Sequence, residues 1–96
     1  MKAPKLTKMQ LKSLNIMKLQ VDVHKHDYAY VEVDNRGLKL HKVRPVQALI
    51  DKGLVRLEDG KGREVTTVLN FKAYIGYLTP IAYEYPYVYP FEERFL

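Results

Sequence analysis

Thr7 and Gln10 stand three residues apart, just before the apolar series Leu11, Leu14, Met17 and Val21. No other feature constrains the fold as much. The spacing is that of a capping box: the Thr hydroxyl accepts from the third helical amide, and the Gln side chain reaches back to the cap. Leu6 and Leu11 occupy the staple positions that flank such a cap. The apolar series then steps by three, three and four residues, which lines one face of a helix. The pattern predicts a helix over 7–20. One such stripe needs a partner layer, and the rest of the chain is cut by Gly and Pro into strand-length pieces. The fold class expected is therefore α+β.

Ala29, Val31 and Val33 alternate with Tyr28, Tyr30 and Glu32, the pattern of a half-buried strand. Asp34-Asn35-Arg36-Gly37 is a turn signal, and Leu38 to His41 is expected to return as the second strand of a hairpin. Pro45 suits a helix start, and Val46, Leu49 and Ile50 make a short apolar face. Gly53 fits the left-handed residue that ends a helix, so a second helix is expected over 44–52. Leu54 to Glu58, the turn Asp59-Gly60-Lys61-Gly62, and Arg63 to Leu69 read as a second hairpin. Phe71, Tyr74, Ile75 and Leu78 have helical spacing and predict a short helix within 70–79. From Pro80 the character changes. Pro80, Pro86 and Pro90 break any helix, while Tyr83, Tyr85, Tyr87 and Tyr89 recur at every second position. The expected organisation is a domain over 1–79 and an extended Tyr/Pro-rich arm over 80–96.

Composition narrows the function classes. The 96 residues suit one domain. The absence of cysteine excludes disulfides and thiolate chemistry. No apolar run is long enough to span a bilayer and no signal-peptide core is evident, so a soluble protein of the cytoplasm is expected, without a membrane partner. The chain carries a formal charge of +5, unevenly spread. Residues 1–72 hold 15 Lys and Arg against 8 Asp and Glu, whereas the tail sets Arg94 against Glu84, Glu92 and Glu93. A basic body of this kind attracts polyanions.

The segment Val46 to Val55, followed by Arg56 to Glu58, the Gly-Lys-Gly turn and Arg63 to Val68, resembles the recognition helix and wing of winged helix-turn-helix domains. The opening Leu-Thr-x-x-Gln-Leu of the first helix also resembles that family's first helix. The interval Val21 to Val43, where the family has a further helix, reads here as a hairpin. The resemblance implies a small winged-helix-like domain that binds nucleic acid, double-stranded DNA above all; the compactness and style of the chain suggest a small regulator of viral or prokaryotic type. It implies that Arg44 and Gln47 face base edges and that Lys42 and His41 meet phosphates. Arg56, Lys61 and Arg63 would charge the wing, and Lys8 and Lys12 would add backbone contacts from the first helix. Asp51, one turn beyond Gln47, opposes this.

Two further readings stand beside it. The tail tyrosines Tyr83, Tyr85, Tyr87 and Tyr89 can pack on the domain's own sheet, clasp a second subunit or another protein, or stack on bases. The acidic tail disfavours the last. The alternative function is thus a protein-interaction module, an adaptor or inhibitor docking through its tyrosine tail and basic face. His24, His26 and His41 invite a metal reading, but nothing fixes a ligand set, and a chance cluster is the better account. No nucleophile–base spacing, phosphate-binding Gly loop or paired-carboxylate motif is present, so neither an enzyme nor a cofactor or small-molecule site is expected.

Overall fold

The computed structural model describes residues 3–36 and 41–86. Two helices, α1 (Lys8–Lys18) and α2 (Val43–Asp51), pack on one face of an antiparallel sheet of four strands. The strands are β1 (Ala29–Val33), β2 (Val55–Glu58), β3 (Glu64–Val65) and β4 (Lys72–Leu78), in the order β1-β4-β2-β3. The fold is a two-layer α+β domain.

α1 begins as its sequence dictates. The Thr7 hydroxyl accepts from the Gln10 amide at 3.2 Å, and the Gln10 carboxamide accepts from the Thr7 amide at 3.1 Å. Leu14 and Met17 are wholly buried against the sheet. Burying a side chain of that size contributes about 2 kcal/mol. The helix widens into a π turn over Leu19–Val23. Just beyond Lys18, Gln20 closes the outer margin of the sheet. Its carboxamide accepts from the Tyr30 amide at 2.7 Å and donates to the Tyr30 carbonyl at 3.3 Å, as a neighbouring strand would.

The strand at 72–78 replaces the short helix expected within 70–79, and it is the central strand of the sheet. It pairs with β1 along Ala29↔Gly76 to Val33↔Lys72 and with β2 along Val55↔Leu78 to Glu58↔Ile75. Tyr74, Gly76 and Leu78 face the helices. Gly76 explains the misreading, because a glycine at the middle inward position hides the period of two. It is also required there: a Cβ would stand 3.0 Å from Val31 Cγ2 and 3.3 Å from Leu57 Cδ2. The buried Tyr74 ring keeps its hydroxyl satisfied by accepting from the Leu69 amide at 3.0 Å.

The hairpins also differ from expectation. β1 takes β4 as its ladder partner. Of the return strand expected over 38–41, only His41 lies within the described residues, and it meets Val33 in a single parallel bridge. The second hairpin forms around a turn in which the Asp59 carboxylate accepts from the Lys61 and Arg63 amides at 2.8 and 3.0 Å. Its returning strand is short because Gln47 takes over the backbone groups beyond Val65. The Gln47 carboxamide donates to the Thr66 carbonyl at 2.9 Å and accepts from the Val68 amide at 2.8 Å.

The start of the tail belongs to the domain. Pro80–Glu84 forms a 3-10 turn instead of the expected extended arm; Ala82 is wholly buried, and Ile81 and Tyr85 pack against the core. The Tyr85 hydroxyl donates to the Pro4 carbonyl, and the Lys18 ammonium donates to the Tyr85 carbonyl at 2.8 Å. Burial lowers the Lys18 pKa. Tyr87 and Tyr89, with the rest of the expected arm, lie outside the described residues.

Candidate nucleic-acid interface

The start of α2 faces the start of α1 across an open cleft of about 550 Å³, lined by Thr7, Met9, Gln10, Asn35, Lys42, Arg44 and Pro45. Lys42 caps α2 from an extended backbone without a side-chain bond to the helix. The first helical amide, Val43, donates to the Asn35 carboxamide at 2.9 Å. Pro45 brings no amide to the first turn. The cleft is therefore polar and basic, and the N-terminal end of α2 adds a partial positive charge. Among the described residues neither Lys42 nor Arg44 meets a carboxylate.

The other cations named from the sequence are placed differently. Arg56 is bound to Glu58 and lies over the Tyr77 ring, 4.7 Å from its centroid. Arg63 pairs with Asp59 at 3.4 Å. Lys61 is exposed at the tip of the hairpin turn. Lys8 is exposed at the first residue of α1, and Lys12, one turn on, is half-buried. Gln47 holds the chain at 66–68 and donates to Asp51 at 3.1 Å, so both its carboxamide hydrogens are engaged within the protein. Asp51 thus supports Gln47, a relation that the spacing alone did not reveal.

Of the tyrosines expected to form one row, the two described, Tyr83 and Tyr85, diverge. Tyr83 is exposed, with the Lys18 ammonium 5.8 Å from its ring centroid, whereas Tyr85 is tucked under the N-terminal segment.

Three groups escaped the sequence reading. The first is the free face of the sheet. Tyr30, 55% exposed, stands beside Ile75, and Tyr77 lies along β4 under Arg56. The alternation of Tyr28 and Tyr30 signalled half of this patch; Ile75 and Tyr77 were hidden by the helical reading.

The second is Phe71, 60% exposed with a φ of 62°. A positive φ at a bulky residue costs on the order of 1–3 kcal/mol. Its amide donates to the Val33 carbonyl at 2.9 Å. The Arg36 guanidinium lies 4.8 Å from the ring centroid and is itself held by two bonds of 3.2 Å to the Asp34 carboxylate.

The third is a buried contact: His41 Nδ1 lies 3.2 Å from Ser13 Oγ, with His41 1% and Ser13 2% exposed. Burial pushes the His41 pKa down to about 4, helped by the charge of Lys12. A serine enclosed to this degree cannot reach an external carbonyl, so the pair acts as a core contact. His41, expected to meet phosphates, is instead enclosed in the core, out of their reach and separated from the exposed His24 and His26, whose rings stack 6.3 Å apart. Among the described residues no three His, Asp or Glu side chains gather as a metal ligand set.

Among the described residues no helix is long and apolar enough to cross a membrane. Compared with models of known families, with curated proteins and with solved structures, the chain matches none of them.

Proposed function

We propose that this protein binds nucleic acid, without catalysis, by holding the phosphate backbone in the cleft between the N-terminal ends of α1 and α2. One contrast carries the reading. Lys42 and Arg44 share an open cleft with no carboxylate partner among the described residues, while the cations of the hairpin, Arg56 and Arg63, are bound to Glu58 and Asp59. Charge already neutralised within the protein contributes little to counterion release; charge that is not contributes fully. The engagement of Gln47 speaks against base reading by that residue and for contact with the backbone. The test is fluorescence anisotropy across a salt series. The double variant Lys42→Glu with Arg44→Glu should lose most of the affinity and flatten the salt slope. Arg56→Ala with Arg63→Ala should change both much less. The reverse ranking would move the interface to the hairpin, and no binding at low salt would sink the proposal.

A second reading, docking on a protein, draws on the free face of the sheet, where Tyr30, Ile75 and Tyr77 form an apolar patch against solvent. A partner retained by the wild type and lost with Tyr30→Lys, while affinity for nucleic acid is unchanged, would favour it.

A further inference from the structure

We infer that the Phe71–Arg36 pair is a stacking platform for an unpaired base, which directs the cleft toward single-stranded nucleic acid. The inference rests on the cleft binding the phosphate backbone. The turn at 34–36 is the wall between two concave surfaces. Asn35 lines the basic cleft with Lys42 and Arg44; its neighbours Asp34 and Arg36 line a second hollow of about 260 Å³ with Phe71 and Lys72. The two surfaces therefore meet at adjacent residues of one turn.

The platform is held in place from both sides. The Asn35 amide donates to the Asn70 carboxamide at 2.8 Å, and the Asn35 carboxamide accepts from the first amide of α2. Asn70 and Phe71 are thereby tied to the helix start that carries Lys42 and Arg44. Arg36 takes its orientation from Asp34, which also neutralises it, so the pair offers planar surface in place of net charge. Arg36 covers part of the ring, and Phe71 remains 60% exposed. Aromatic rings with an exposed surface beside a cationic track are what bases stack on, and the contact is indifferent to sequence because every base has a π face. In a duplex the bases already stack on one another, so only an unpaired base gains from Phe71. The charges lining this hollow balance, Glu32 and Asp34 against Arg36 and Lys72, so it offers a phosphate no net positive charge, whereas the cleft with Lys42 and Arg44 does.

The experiment compares a short mixed-sequence single strand with the duplex of the same length by anisotropy. The proteins are the wild type, Phe71→Asn, and the Lys42→Glu, Arg44→Glu double variant. Asparagine accepts a positive φ readily, so Phe71→Asn keeps the backbone while removing the ring. Its affinity for the single strand should fall about tenfold or more, with duplex affinity unchanged. The chain has no tryptophan, so Phe71→Trp supplies a single reporter whose emission should be quenched by the single strand and not by the duplex. An unchanged single-strand affinity in Phe71→Asn, or no quenching of Phe71→Trp on binding, overturns the platform. If the cleft variant still weakens both ligands in that case, the backbone-binding reading survives. Wild-type binding to neither ligand overturns both.

Discussion

Gln47 Oε1 accepts from the Val68 amide at 2.8 Å, across 21 residues of sequence, while its Nε2 donates to the Thr66 carbonyl. A helix side chain thus pairs with two residues of an irregular segment as the edge of a strand would. Removing it strands the amide of the buried Val68, at a cost of about 1–3 kcal/mol when left unmet, while the carbonyl of the exposed Thr66 can turn to water. Gln47→Ala should lower the unfolding free energy by about 2 kcal/mol in denaturant titrations. At temperatures where the variant is folded, affinity for nucleic acid should stay at the wild-type level. A stable variant with weakened binding would return Gln47 to the interface.

His41 gives stability a dependence on acidity. Its pKa is about 4 in the folded protein, because burial disfavours the imidazolium, against an ordinary value of 6.5. The unfolded chain therefore binds the proton more readily. The contribution is complete above pH 6.5, falls as the pH drops through the interval to 4, and levels off below it. A separation of this size corresponds to about 3 kcal/mol. In urea titrations at successive pH values, the gap between wild type and His41→Gln should narrow across that interval. A constant gap would mean that the histidine is not kept neutral by its surroundings.

Gly76 lies under Val31 and Leu57, the side chains that converge on it from the two flanking strands. Adding a methyl group there forces both to shift, and overpacking of this kind costs about 1–3 kcal/mol. Gly76→Ala should lower the thermal midpoint, and Val31→Ala should recover part of the loss by vacating the nearer contact. Additive losses in the double variant would show that the two positions do not compete for space.

The same glycine shows why part of the fold was legible in the sequence and part was not. α1 could be read because its cap, its staple and its stripe are all local, and local geometry decides them. β4 could not, because its inward row runs Tyr74, Gly76, Leu78, and the middle member has no side chain. What remained, Phe71, Tyr74, Ile75 and Leu78, matched a helix by spacing alone. Pairing with β1 and β2 overrode that spacing, and such pairing joins residues from 17 positions apart, as in Glu58↔Ile75, to 47 apart, as in Ala29↔Gly76. The basic cleft was half legible. Lys42 and Arg44 stood out as cations at a helix start, but which of the remaining cations are bound to neighbouring carboxylates depends on the turn around Asp59 and on the rotamer of Arg56. Phe71 was invisible as a surface residue while it served as one step of a supposed helical stripe.

The side chain of Gln20 has a consequence for how this protein shares space with other copies of itself. A sheet margin with bare amides and carbonyls is a template on which further strands can add. Here one margin ends at the Gln20 carboxamide and the bridge to His41, and the other is a strand of two residues. Among the described residues neither margin offers a long run of backbone for growth. A strand of a second copy would find little to pair with at either described margin, which works against extension of this sheet from molecule to molecule.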